Sequence, residues 1–501
     1  MTYIIPKYNG GGINMIQLNY GVVSCAKLQK VEDKIRVECP FKDLEEVKKP
    51  ISLSATAFLL SKENKGGKIA VQAKVVFTLV YLSEDGYKKS TCEIDGAGEI
   101  SQEDADICAF ATDVKLLTSN GLVGVCTLVF SGVARQSYTV DVLSGGDGLN
   151  VKTKEICVDR YNGIRYGKQV ISDEFSLDFI VGEVLSYSAR AYLTNVNCSI
   201  GRIILEGEAV LTVKALPFAE NNDIVKERRV IPFRYELDDV DAMQGDKAYA
   251  TVDVSATHLK VLADEGREKS TVSVDISLDF CGGCVACDNV TVVEDAFIKY
   301  NECDLKRTKI ELLSYCGQKV YSDKVICDGV KLVGGGKIVS VIGEDLSVIS
   351  LKQTGDKVYV DGVLKADVVL KNADNGIAVT PCECPISIDF NADGIVDCAR
   401  VVLTDVSARV RNEEIELECC FKLYYNEYEL QTFNCVCDVL ELGQRNNLDG
   451  AISICIGKKG DDLWDVAKRL GFEEQEILKF NPEIEFPLEK DDRILVYRQK
   501  I

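Results

Sequence analysis

Apolar and polar residues alternate along most of this chain, and one alternating stretch occurs three times: 68–79 reads KIAVQAKVVFTL, 202–213 reads RIILEGEAVLTV and 357–368 reads KVYVDGVLKADV. In the middle copy Ile203, Leu205, Ala209, Leu211 and Val213 share one face, while Glu206, Glu208, Thr212 and Lys214 share the other. A period of two marks a half-buried strand, because a helix would scatter the same residues around its circumference. Ile69, Val71, Val75, Phe77, Leu79 and Val358, Val360, Leu364, Ala366, Val368 fill the matching places.

A second strand follows each copy after roughly 45 to 55 residues, introduced by Thr112-Asp-Val-Lys, Thr257-His-Leu-Lys and Thr404-Asp-Val-Ser. Its apolar face runs Leu122, Gly124, Cys126, Leu128, Phe130, then Val272, Val274, Ile276, Leu278, Phe280, then Ile415, Leu417, Cys419, Phe421, Leu423. A weaker match joins 154–161 (KEICVDRY) to 309–315 (KIELLSY). Turns such as Glu84-Asp-Gly86 and 372–376 (NADNG), and the glycine run 334–336 before Lys337, separate antiparallel strands. The fold class expected is therefore mainly β: three tandem antiparallel β-sandwich or open-barrel modules of about 110 to 150 residues, spanning 1–150, 151–305 and 306–443. The one helical signal before residue 445 is Lys42 to Lys49, two turns at most.

After a polar linker at 444–450 the period changes. Ile452 to Ile456 reads as a short strand, Gly460 to Gly471 as a helix capped by Asp462 and stopped by Gly471, Glu474 to Phe480 as a second helix ended by Asn481-Pro482, and Arg493 to Tyr497 as a closing strand. This βααβ unit occupies 451–501.

Composition narrows the chemistry. Lys and Arg total 58 against 79 Asp and Glu, a net charge of -21 that argues against nucleic acid or anionic lipid as the main partner. The single His258 excludes a metal site built on several imidazoles; it aligns with Asp113 and Asp405, which suits a surface or turn position. Met1 to Asn14 lacks the apolar core of a signal peptide, and no run reaches the roughly 18 to 20 apolar residues that span a bilayer, so the chain reads as cytosolic. Its 21 cysteines are then expected mostly as thiols. Cys126 and Cys419 match Ile276, and Cys384 matches Ile231, which makes them apolar fillers. Cys281, Cys284 and Cys287 have the C-x2-C-x2-C spacing of a thiolate ligand run, with Cys303 as a candidate fourth ligand, although an inert strand-end turn suits them better. Neither a cofactor nor a catalytic residue is expected.

The segment 458–497, KKGDDLWDVAKRLGFEEQEILKFNPEIEFPLEKDDRILVY, resembles a LysM domain. It carries the family's Gly-Asp-x-Leu-Trp, Val-Ala-Lys, Ile-Leu-x-x-Asn-Pro and closing Ile-x-Val elements; Asp462 departs from the usual Thr or Ser, and 489–492 from a Pro-Gly turn. The resemblance implies a shallow groove binding N-acetylglucosamine polymers through Gly460, Asp461, Asp462, Leu463, Asn481, Pro482, Glu483 and Ile484. Leu463, Trp464, Ala467, Ile477 and Leu478 read as fold anchors. Three strand-rich modules followed by one LysM unit are similar to clostridial spore-coat morphogenetic proteins of the SipL type, with SPOCS domains. That resemblance implies a non-enzymatic scaffold, made in the mother cell and recruited to the forespore surface, whose LysM domain binds the coat basement-layer ATPase. Self-association of such a scaffold is a further expectation. The alternative is a protein that binds peptidoglycan in cell wall or cortex. A chain read as cytosolic rarely meets that glycan, which favours the protein partner.

Overall fold

The computed structural model describes residues 17–497 except 43, 45, 85, 103–104, 120, 219–223, 263–268, 332–335, 373–376 and 445–451. Most of the expected linker, of the glycine run and of the 372–376 turn lies outside the described residues, and Gln444, expected in the linker, is in strand. The protein is mainly β, 80% strand and 4% helix, and its sheets are antiparallel.

Three units repeat one topology. The first contains β1 (Leu18–Pro40), β2 (Lys49–Asn64), β3 (Ile69–Ser83), β4 (Gly86–Ile100), β5 (Ala105–Leu117) and β6 (Val123–Gly146), arranged as sheets β2-β3-β4 and β1-β6-β5. In the third, β14 (Asn301–Lys331), β15 (Lys337–Thr354), β16 (Lys357–Lys371), β17 (Ile377–Asn391), β18 (Ile395–Arg411) and β19 (Glu414–Gln444) form sheets β15-β16-β17 and β14-β19-β18. The second divides the long opening strand into β7 (Leu149–Tyr161) and β8 (Arg165–Ser176). It continues through β9 (Val181–Ser199), β10 (Arg202–Pro217), β11 (Val225–Asp238), β12 (Lys247–Leu262) and β13 (Thr271–Ile298), with β8 and β7 pairing successive halves of β13. In each unit the alternating faces of both sheets meet in one apolar cluster: Val71, Val75 and Phe77 meet Cys126, Leu128 and Phe130 in the first, and Val360 and Leu364 meet Leu417, Cys419 and Phe421 in the third. Cys126, Ile276 and Cys419 are all buried there, so the thiols are core fillers.

The helix expected at Lys42 to Lys49 does not form among the described residues. The Phe41 N–H donates to Leu122 O at 2.9 Å, just before β6, and the Lys48 N–H to Leu82 O of β3 at 2.9 Å, so both ends of the segment are tied to the sheets. The threonine motifs also shift: Thr257 lies opposite Ile276, but Val406 rather than Thr404 lies opposite Cys419, because bulges interrupt these strands. His258 is exposed on β12 opposite Asp275.

The last strand of each unit runs past its own cluster, and the three extensions meet. Register fixes the equivalences: Val140, Val290 and Phe433 face Val23, Ile156 and Ile310 on the opening strands. The match between 154–161 and 309–315 is thereby anchored at its tyrosine end. Val142, Val292 and Cys435 are equivalent and share one cluster with Val23, Ile156 and Ile310. The next residues, Leu143, Val293 and Val436, are each 0% exposed and share a second cluster. One residue later each strand carries a bulge, at Ser144, Glu294 and Cys437. The units are thus one block closed around a pseudo-threefold axis, and each needs the other two to bury its axial residues.

A third shared cluster joins the other sheets through Val80, Val369, Leu185, Ile51 and Ile342. At the place of Val80 and Val369 the second unit has Lys214, 4% exposed and paired with Glu344 of β15. Burial pushes the Lys214 ammonium below its ordinary pKa against the pull of Glu344. Breaking a buried pair from one side leaves an uncompensated charge, so Glu344→Ala should cost about 3–5 kcal/mol. Lys214→Val with Glu344→Ala, which copies the valines of the other units, should recover most of that loss in urea denaturation.

Candidate functional site

The C-terminal unit consists of β20 (Ile452–Gly457), α1 (Leu463–Leu470), α2 (Glu474–Phe480) and β21 (Asp492–Tyr497). Asp462 caps α1, its carboxylate accepting the Asp465 N–H at 2.6 Å, and Gly471 ends the helix at φ 72°. The Glu476 carboxylate accepts the Glu473 N–H at 3.2 Å to start α2.

The eight expected groove residues divide by role. The Gly460 N–H donates to Leu488 O at 2.8 Å, and the Leu488 N–H donates to Asp461 O at 3.0 Å, which ties the loop before α1 to the loop before β21. Leu463 and Ile484 pack against one shared core. Asp461 accepts the Lys458 N–H and pairs with Arg469 at 2.8 Å, and these contacts hold its carboxyl below the usual range. Asn481 is buried: its amide donates to Ile477 O at 2.7 Å and Leu495 O at 2.8 Å, and accepts the Leu495 N–H at 2.7 Å. It fastens α2 to β21, and its polar atoms are consumed by the fold. Asp462 caps the helix and also accepts from Lys152 of β7 at 3.2 Å. Pro482, Glu483 and Gly460 are exposed.

The helical side of the unit is docked on the second module. The Trp464 Nε1–H donates to Asp295 Oδ2 at 2.9 Å, and the Trp464 ring meets Phe297 edge-on at 5.1 Å. Lys468 and Arg307 also converge on Asp295, while Lys299 pairs with Glu473 and Glu476. The Tyr300 N–H caps α1 from outside by donating to Gly471 O at 3.0 Å. Asp295 follows the β13 bulge, which re-aims the strand. The equivalent Asp438 accepts the Tyr20 hydroxyl of the first unit. Burial tends to raise the Asp295 carboxyl, but Lys468 and Trp464 outweigh it and hold it below its ordinary pKa. Its contribution to docking is therefore fully present above the unfolded value near 3.8 and is lost as pH falls through the depressed folded value. Trp464 is the only tryptophan, so its fluorescence reports this contact: emission should stay constant from neutral pH down to about pH 5 and shift red below about pH 4. Asp295→Ala should give the shifted spectrum at pH 7.

Among the described residues, the opposite side of the unit is uncovered. Ile452, Ile454 and Ile456 are 65%, 65% and 60% exposed, and their cross-strand neighbours Tyr497, Leu495 and Arg493 continue the ladder. The inward positions of β20 hold Ser453, Cys455 and Gly457 instead, and a Cβ on Gly457 would lie 2.4 Å from Leu488. Leu488 and Ile494 leave no room for a side chain at Gly457. Leu478, expected as an anchor, is 41% exposed, because α2 turns only Ile477 fully inward. The isoleucine parity was visible in the sequence; its outward direction was not.

The cysteine run is not a turn. Residues 281–287 are continuous strand in β13, and three-residue spacing in a strand sends successive side chains to opposite faces. Cys284 points inward with its sulfur 2.7 Å from Cys198, while Cys287 forms a disulfide with Cys157 of β7. Cys303 lies on β14 opposite Glu441. Among the described residues no group of three His, Cys, Asp or Glu converges to hold a metal, and no helix is long and apolar enough to cross a membrane.

No family model, curated protein or solved structure matches this chain.

Proposed function

We propose that this protein is a non-enzymatic spore-coat assembly adaptor: three SPOCS-type β-sandwich modules form a rigid block that displays a LysM domain for binding the coat basement-layer ATPase at the forespore surface. The observation that carries this reading is the ladder of Ile452, Ile454, Ile456, Leu495 and Tyr497, an apolar sheet face left open while the helical face is docked. Contiguous exposed apolar surface is the signature of a protein interface, whereas an oligosaccharide groove relies on free polar groups. In the groove expected here Asn481 and Asp461 are committed to internal hydrogen bonds, and Asp462 to a cap and to Lys152. The mother cell as the site of synthesis rests on the resemblance in module number and order.

The full chain should retain the ATPase in a pull-down and lose it on deletion of 450–501, and it should remain in the supernatant when purified peptidoglycan is sedimented. Co-sedimentation with glycan at micromolar protein, combined with no ATPase retention, would replace this reading with cell-wall binding.

A further inference from the structure

Apart from the disulfide, the described thiols include pairs placed where the two sheets of a unit meet. In the second unit Cys198 of β9, in one sheet, has its sulfur 2.7 Å from that of Cys284 of β13, in the other. In the first unit Cys39 of β1 and Cys92 of β4 face each other across the sheets: the Cys92 thiol donates to Cys39 O at 3.5 Å and the Cys39 thiol to Glu93 O at 3.4 Å. In the third, Cys327 of β14, Cys384 of β17 and Cys419 of β19 are buried in one cluster between the sheets. Register makes Cys39 and Cys327 equivalent, since they lie opposite Gly124 and Leu417 of matching strands, but Cys92 lies opposite Phe77 and Cys384 opposite Leu364, which are not matching positions, and Cys198 and Cys284 occupy different places again. Thiols have therefore been brought together differently in each unit, which inheritance of one repeat does not explain. A small apolar filler, the reading that suits Cys126, has no need of a second thiol at its sulfur.

We propose that Cys198 and Cys284 are an oxidation site at which a disulfide ties the two sheets of the second unit together. The oxidant is a peroxide. Cys198 is the half-exposed member and Cys284 the buried one, so the Cys198 sulfur is reached first. Its thiolate attacks one peroxide oxygen, the O–O bond breaks, and water leaves to give a sulfenic acid at Cys198. The Cys284 sulfur then displaces the hydroxyl as a second water. Two thiols lose two electrons and two protons in total, and hydrogen peroxide is reduced to two waters. The hydrogen bond with Cys198, and burial after it, raise the Cys284 thiol above its ordinary pKa; in the second step its proton passes to the hydroxyl that leaves as water. The bond would close a loop between residues 86 apart in sequence. Such a cross-link restricts the unfolded chain far more than the folded one. The block would then be assembled with thiols and made harder to unfold on meeting an oxidant. This inference stands whether or not the C-terminal unit binds the ATPase.

The test uses the full chain, fully reduced and then exposed to stoichiometric hydrogen peroxide, with peptides mapped by mass spectrometry without reduction. The expected result is a peptide pair linked through Cys198 and Cys284 within one chain, together with a rise in the thermal midpoint relative to the reduced protein. Cys198→Ser and Cys198→Ala should each lose both the linked pair and that part of the rise attributable to it, while their reduced forms unfold as the reduced parent does. Oxidation confined to the exposed Cys316 or appearing as cross-links between chains would overturn the proposal. So would a Cys198–Cys284 bond that leaves the midpoint unchanged.

Discussion

Val436→Asp is expected to abolish the native state of all three modules, although it alters only the third. Val436 is fully buried against Leu143 and Val293 at the pseudo-threefold axis. An aspartate there replaces apolar packing against Leu143 and Val293 with a carboxyl group that must give up its hydration, whether it stays charged or is neutralised. The expected cost is about 5 kcal/mol or more, comparable to the whole stability of a typical domain. A graded companion is Leu143→Ala in the first module, which should cost about 2–5 kcal/mol. Because the three extensions bury one another, calorimetry should record one transition moved to lower temperature in the Leu143→Ala protein. Three transitions, with only the first module's displaced, would show that the block is not cooperative.

Ile454→Asp is expected to remove partner binding while leaving the fold intact. Ile454 lies at the centre of the exposed ladder, flanked by Ile452 and Ile456 and opposite Leu495. In the free protein its side chain is mostly in water, so the substitution should change stability by no more than about 0.5 kcal/mol. In a complex the same position forfeits about 1.5–3 kcal/mol of apolar burial and adds the desolvation of a carboxylate. A combined loss of at least about 3 kcal/mol corresponds to roughly a hundredfold weaker Kd. Titration calorimetry against the purified ATPase reads this directly, with circular dichroism confirming the unchanged fold. Trp464 makes the complementary case. Its ring is spent on Phe297 and Asp295 of the second module, so its replacement acts on how the terminal unit is held.

Much of the local structure was legible in the sequence because strand burial writes itself as a period of two. The faces carried by Ile203 to Val213 and by Val272 to Phe280 are buried as the alternation predicts, and Asp462, Gly471 and the second helix lie at or within a residue of where the caps predict them. Periodicity could not say that the units close on one another. Val142, Val292 and Cys435 look like further strand residues, and only register shows them to be equivalent and shared. It could not separate β7 from β8, nor foresee that bulges displace Thr404 relative to Thr257, because a bulge leaves little trace in composition. In the candidate groove, family resemblance pointed to the loops before α1 and after α2, but the hydrogen bonds that commit Asn481 and Asp461 depend on geometry. Ile452, Ile454 and Ile456 have the spacing of a buried strand face. They point outward because β20 gives its inward positions to Ser453, Cys455 and Gly457, and at Gly457 a Cβ would lie 2.4 Å from Leu488.

The most direct measurement follows a fluorescent fusion of the full chain through sporulation in three forms: unaltered, Ile454→Asp, and Pro482→Ala with Glu483→Lys on the exposed part of the groove. An adaptor that works through the open sheet face predicts a ring around the forespore for the unaltered and groove-altered proteins and diffuse mother-cell fluorescence for Ile454→Asp at equal protein level. A ring that survives Ile454→Asp, or one lost when only the groove is altered, would contradict it.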